Sequence, residues 1–361
     1  MTTTAAGLEL RPLVIPASLE ASDAADFVAM VTVRNQVYRE LCGHDDHAVT
    51  AGELLPHYQP NAYEQRYCWL LLDDGRPVGR AGLDLPNEEG SRVGYWLVEL
   101  LREAHGRGLG SQAYAEVERT ARRHGRTVLQ SWAQHNEAPG ERLAAPTGFG
   151  SVPAQDAGVR FYRKHGYVLE QIERCSVLDL REPFDAIEQL FAEARAAARG
   201  YRLVSWFLPT PSEYVDGYAW MKSRMATDAP AAGLEFDEEV WDAARVALHD
   251  SRYLEGGQTV RVAAAQHIET GELAAFSELS IRGDAAATSH QEDTLVLKHH
   301  RGNRLGALVK CDNLLAWRSV APLSPRVMTY NAEENRPMLD VNEALGFVPL
   351  AYEGAWKKVL E

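Results

Sequence analysis

Three glycines set two apart, in His105-Gly106-Arg107-Gly108-Leu109-Gly110, follow the strand-like run RVGYWLVEL and open the helical stretch SQAYAEVERTARRHG. A strand that runs into a glycine-rich loop and a helix N-terminus presents backbone N–H groups and the positive end of the helix dipole to an anion, so a phosphate suits the place. Without Cβ atoms the backbone can approach a diphosphate closely. A dinucleotide-binding unit would need a βαβ context and an acidic residue about 20 positions on. The elements ahead of this loop read as antiparallel, which disfavours it.

The pattern recurs at Arg301-Gly302-Asn303-Arg304-Leu305-Gly306, which follows DTLVL and opens a second helix. Ala113, Val117 and Ala121 share a face of the first helix; Leu308, Cys311 and Leu315 share one of the second. Each half then returns to a matching ending, FYRKHGYV at 161–168 and VNEALGFV at 341–348. From Gly110 to Gly166 is 56 positions and from Gly306 to Gly346 is 40, so the first copy carries 16 more residues. The segment PGERLAAPTGFGSVPA, 139–154, has that length and reads as an inserted loop that overhangs a site.

The elements that must position the two loops are also duplicated. YCWLLLDDGRPVGRAGLDL and VRVAAAQHIETGELAAFSELSI read as hairpins turning at Asp-Gly and Thr-Gly. Helical stretches precede each hairpin, around 23–41 in one half and around 212–226 with 237–249 in the other. A boundary after the Ala-rich helix FAEARAAARG gives domains 1–198 and 199–361, as expected when 361 residues exceed what one core fills.

Composition narrows the partners. Hydrophobic residues at 45% and charged residues at 24% suit ordinary globular domains. A net charge of -14 opposes nucleic-acid binding and favours cationic small molecules such as amines. Four scattered cysteines form no CxxC pair, which fits a reducing compartment. MTTTAAGLELRPLVIP lacks a basic, then apolar, leader and no run of about 18 apolar residues occurs, so a soluble cytoplasmic protein without a membrane partner is expected.

Loop, helix, next strand and the FYRKHGY ending together resemble the GNAT acetyltransferase superfamily. Its [Q/R]-x-x-G-x-[G/A] loop is matched at 105–110, with His105 where Gln or Arg is usual. The resemblance implies an α+β, mixed α/β chain of two tandem GNAT folds. Each would be a splayed, mixed, mostly antiparallel sheet flanked by helices, with the pantetheine arm of acetyl-CoA in the gap. Amides from Gly106 to Ser111, through Arg107, Gly108, Leu109 and Gly110, would then hold the pyrophosphate, while Val98 and Leu100 pair with the pantetheine.

The family's tyrosine in an FYxxxGF context, which protonates the departing thiolate, corresponds to Tyr162; a phenol stays protonated until needed. The competing reading is that Tyr162 packs against the sheet. Gln155 stands seven positions earlier, where an Asn is common. In the second copy the resemblance assigns Val296, Arg301, Gly302, Asn303, Arg304, Leu305, Gly306 and Asn335 to the cofactor. Arg304 replaces the middle glycine, either as a counter-charge to the pyrophosphate or as a block. Asn342 stands at the tyrosine position, so the second copy lacks the usual acid. Tandem organisation and the string TYNAEENRPMLDVNEALGF are similar to bacterial two-domain members such as mycothiol synthase.

A general base must take a proton from the attacking amine. Asp84, Glu88, Glu89, Glu99 and Asp293 lie near the relevant strands, and Glu99 is singled out. Gly43-His44-Asp45-Asp46-His47 reads as a solvated loop rather than a metal site, His299 and His300 as a phosphate contact and an exposed ring, and Cys68 and Cys311 as core. The implied activity is direct transfer of an acetyl or other short acyl group from CoA to a primary amine of a small molecule, by a monomer or homodimer without metal. The first half is favoured because it holds the three-glycine loop and Tyr162. The alternative is a CoA-binding sensor or pseudoenzyme.

Overall fold

The computed structural model describes residues 7–361; the first six positions of the stretch MTTTAAGLELRPLVIP lie outside them. In the first half, β1 (Leu8–Pro12) is followed by α1 (Ala24–Cys42) and α2 (Ala51–Tyr58). Thr50 starts α2 with a capping box, its hydroxyl accepting from the Glu53 amide while Glu53 accepts from the Thr50 amide. Then come β2 (Glu64–Asp73), β3 (Arg76–Pro86), β4 (Val93–Leu100), α3 (Leu109–Arg123), β5 (Val128–Gln134), α4 (Ala157–Lys164) and β8 (Val168–Asp179). The β2–β3 turn places Asp74 at φ 49° and Gly75 at φ 79°, the two left-handed residues that a tight hairpin needs.

Residues 139–154 depart from the expected irregular loop. They contain β6 (Arg142–Ala144) and β7 (Ser151–Pro153), a small antiparallel ribbon of its own. Gly148 and Gly150 at the turn have left-handed φ, and Ala145 and Val152 are buried, so the insertion has an anchored side.

After α5 (Asp185–Ala197) the order repeats: β9 (Tyr201–Phe207), α6 (Val215–Asp228), α7 (Ala243–Glu255), β10 (Thr259–His267), β11 (Leu273–Ile281), β12 (Ser289–Val296), α8 (Leu305–Val320), β13 (Arg326–Ala332), α9 (Arg336–Leu345) and β14 (Val348–Val359). Both copies splay as expected. The parallel pair β4–β5 is joined only at Val93 to Tyr95, and β12–β13 only at Ser289 and His290, after which each pair diverges.

The two halves form one twelve-stranded sheet in the order β1-β2-β3-β4-β5-β14-β8-β13-β12-β11-β10-β9. The last strand of the chain, β14, pairs with β5 of the first half, and the first half's last strand, β8, pairs with β13 of the second. The β8–β14 ladder joins the two. Either half alone would expose a sheet edge at its centre. Apolar cores flank the sheet, one built on Trp96, Tyr114, Val159 and Trp356, others on Tyr218, Phe276, Leu314 and Trp317.

Candidate active site

At the first loop Gly106 and Gly108 have φ of 72° and 80°, and Gly108 is the residue ahead of α3. The His105 ring reaches the Leu100 carbonyl at 3.0 Å, closing the strand end. Arg107 pairs with Asp73 at 2.5 Å and Ser111 Oγ lies 3.0 Å from His165 Nε2. Val98 and Leu100 are half-buried against the first core.

The space where β4 and β5 part is occupied by rings. The Trp96 ring lies 4.9 Å from that of Tyr114, 5.6 Å from Tyr162, 5.4 Å from Tyr167 and 6.5 Å from Phe161. Tyr162 is buried, and its hydroxyl shares a 2.8 Å hydrogen bond with Ser131. Burial drives that phenol well above its ordinary pKa. Glu99 receives both ends of the Arg80 fork, at 2.6 and 3.0 Å. Burial alone would raise the Glu99 carboxyl, but Arg80 outweighs it and holds the group below the usual range. Gln155 is exposed, and its neighbour Asp156 caps α4 through the amides of Gly158 and Val159.

The second loop has the same backbone. Gly302 has φ 87° and Arg304, standing where Gly108 does, has φ 55° at the start of α8. Arg301 Nε donates to the Val296 carbonyl at 3.2 Å, the contact His105 makes with Leu100. Arg304 Nη1 donates to Glu193 on α5 at 2.8 Å, and both residues line the cavity at this loop. Asn303 Nδ2 donates to the His300 carbonyl at 3.0 Å.

Here the splay is open. A cavity of about 770 Å³ is walled by Val296, Arg301, Gly302, Arg304, Leu305, Gly306 and Asn335. A second of about 430 Å³ shares Met225, Thr294, Asn335 and Met338 with it and continues past Lys222, Glu292, Asp293 and Lys310. The difference from the first half lies in four side chains. At the offset of the loops (306 − 110 = 196) Tyr114 corresponds to Lys310, and in the strand register, where Trp96 faces Leu83 and Gln291 faces Leu279, Trp96 corresponds to Gln291. At that of the endings (346 − 166 = 180) Phe161 corresponds to Val341 and Tyr162 to Asn342. Rings fill one splay and smaller or charged groups line the other.

The charged lining has internal order. Along β12 the ladder with β11 slips between Gln291 and Thr294, where β12 carries one extra residue, a bulge that re-aims Glu292 and Asp293. Lys222 on α6 donates to Asp293 at 2.6 Å and lies 3.5 Å from Glu278, which also accepts from the Tyr218 hydroxyl. Burial raises the Glu292 carboxyl, which accepts only from Ser280 Oγ at 2.6 Å among the described residues. Asp293 is only partly buried; burial would raise its carboxyl, but Lys222 outweighs it and holds the group below its ordinary value. Sequence reading weighed Asp293 but missed Lys222, Glu278, Glu292 and Lys310. For Lys222 and Lys310 the signal was charge inside otherwise apolar runs, YAWMK and LGALVKC.

A further cavity of about 440 Å³ lies between the halves, lined by His57, Arg66, Arg80, Asp84, Tyr253 and Gln258, and Glu292 borders it as well. The 43–47 segment is a latch rather than a solvated loop: Asp46 accepts from Thr288 Oγ1 at 2.7 Å across the halves. His299 and His300 both point at Glu272, at 3.2 and 3.1 Å, and His300 also meets the Tyr201 hydroxyl at 2.8 Å. The four cysteines are free. Among the described residues no helix is long and apolar enough to cross a membrane.

Residues 35–167 match the model of the Acetyltransferase (GNAT) family. The chain carries a GNAT acetyltransferase domain. A solved tandem GNAT protein from the clavulanic acid biosynthesis pathway is 25% identical, with 98% of each chain covered and a TM-score of 0.74. A GCN5-related N-acetyltransferase from Sphaerobacter thermophilus shares the fold at 14% identity, covering 98% of this chain and 95% of that one, with a TM-score of 0.62. No protein of curated function matches the sequence. Tandem GNAT architecture is thus common to this chain and the clavulanic acid pathway protein, and acyl transfer with an acyl-CoA co-substrate is the general chemistry of such domains.

Proposed function

We propose that this tandem GNAT protein moves an acetyl or other short acyl group from CoA to a primary amine of a small molecule, in the cleft of the second half. The observation that carries the reading is the open cavity of about 770 Å³ against the amides of the Arg301–Gly306 loop, beside a charged cavity of about 430 Å³. The first half, favoured by its glycine count, has rings where an arm of the donor would lie. There Tyr162 and Glu99 serve packing and an ion pair, and its loop at 105–111 is a structural copy.

Loop amides and the α8 N-terminus hold the diphosphate, with Val296 and Asn335 along the arm. The amine, drawn by the acidic chain, lies by the β12 bulge. Its nitrogen attacks the thioester carbonyl, the C–S bond breaks, the proton released by nitrogen passes to Glu292, and the thiolate departs along the open cleft to be protonated by water. Holding both reactants in one groove removes much of the entropic barrier. The lowered Asp293 remains the anionic partner of Lys222. Domains 1–198 and 199–361, a cytoplasmic setting and a monomer or homodimer belong to the same reading.

The filled splay of the first half argues against both CoA binding and turnover there. The test compares CoA binding and amine-dependent thiol release in wild type, Gly110→Glu and Gly306→Glu, matched positions at the two helix starts. Loss in Gly306→Glu only is expected. Loss in Gly110→Glu only would move the chemistry to the first half, and tight CoA binding without release over an amine panel would favour a sensor.

A further inference from the structure

One cation in the second-half cleft has no counter-charge. Lys310, on α8, is 1% exposed and lines the cavity of about 430 Å³. Among the described residues it makes no hydrogen bond or ion pair; the Phe347 ring lies 5.7 Å from Nζ. Lys222, in the same cavity, has carboxylates at 2.6 and 3.5 Å.

The cavity's own carboxylates are engaged elsewhere. Asp293 is held by Lys222, Glu292 by Ser280, Glu173 by Trp132 Nε1 at 2.8 Å, and Glu239 by Arg245 at 3.1 Å and Trp241 Nε1 at 2.7 Å. Burial with no carboxylate opposite pushes the Lys310 amine down to about 7. An ammonium left so costs several kcal/mol in a folded chain. Packing does not require it, because Tyr114 fills the equivalent place in the first half with a ring.

We propose that Lys310 is a carboxylate-binding residue: the molecule that occupies this cavity brings a carboxylate to Nζ. The inference rests on the acyltransferase reading of the cleft and adds the substrate class. Two sources share the chemistry, an acceptor amine that is an amino acid, or an acyl donor whose acyl group ends in a carboxylate. The carboxylate completes the pair, and binding draws a proton onto Lys310 near neutral pH.

The test uses the full chain as wild type, K310M and K310R, each checked for a native melting transition. One arm measures Kd by calorimetry for acetyl-CoA and succinyl-CoA. The other titrates glycine against glycinamide, and alanine against alaninamide, into protein with and without acetyl-CoA, reading heat and thiol release. A charge-assisted contact of about 1.5–3 kcal/mol predicts a preference of roughly 10- to 100-fold for the carboxylate member in one arm. It should vanish in K310M and persist in K310R. Preference for succinyl-CoA names the donor; preference for the amino acids names the acceptor. Equal binding within every pair, or a preference that survives in K310M, overturns the proposal, as does stoichiometric acetylation of Lys310 by acetyl-CoA, which would make it an acyl acceptor. If no CoA ester binds at all, the acyltransferase reading fails, while the amino acid and amide titrations still decide the role of Lys310.

Discussion

Trp356, on the last strand of the chain, lies flat against Tyr162, on α4 of the first half, with ring centroids 4.8 Å apart and planes 3° from parallel. Its indole N–H also points to His135 Nε2 at 3.2 Å, and His135 Nδ1 meets Asp156, the cap of α4, at 2.7 Å. A residue of the second copy therefore organises the helix that carries Tyr162. Removing the fully buried indole by Trp356→Ala should cost about 3–5 kcal/mol. A chain ending before Val348 should leave the edge of β5 unpaired and the first half unstable. Urea unfolding read at a first-half probe checks both; an unchanged midpoint in Trp356→Ala would refute the coupling.

Tyr162→Phe separates packing from chemistry. The phenyl ring keeps the stack on Trp356 and loses only the hydroxyl bond to Ser131, worth about 0.5–1.5 kcal/mol. Stability should fall by that amount while amine-dependent thiol release is unchanged. A large drop in turnover with native stability would return the acid role to Tyr162.

Much of this was readable from the residues. Glycine spacing after an apolar run stated the loops, since left-handed φ and a free approach are properties of the residue type, and the paired landmarks stated the duplication. What filled the splays was not legible, because the loop pattern describes backbone. Only aligning Trp96 with Gln291 and Tyr114 with Lys310 exposes the difference. The exchange of β8 and β14 was also hidden: both strands suit a buried central position, and local pattern does not name the partner. Arg304 shows the limit of residue rules, taking at φ 55° a conformation usually left to glycine.

The Arg80–Glu99 pair predicts acid sensitivity. Glu99→Gln leaves Arg80 buried with its fork half satisfied, a loss of about 3–5 kcal/mol. Glu99 titrates lower in the folded protein than in the unfolded chain, so its contribution is present above the unfolded value and is lost as pH falls through the folded one. Denaturation midpoints across the acid range should therefore drop less steeply in Glu99→Gln than in wild type. Parallel curves would show that the pair carries no such linkage.

The exchanged strand brings an opposite linkage. In the β8–β14 register Glu353 faces Glu173, and burial together with that neighbour pushes the Glu353 carboxyl up to about 8. An unfolded glutamate titrates near 4.3, so folding favours the protonated form. The associated stability is complete below about 4.3 and disappears as pH rises through about 8. Wild type should consequently be less stable at about pH 9 than at about pH 6, and Glu353→Gln, neutral at both, should narrow that gap. Because the strand belongs to both halves, the loss should register simultaneously at first-half and second-half probes. Probes that separate with rising pH, or a variant with the full wild-type decline, would remove Glu353 as its source.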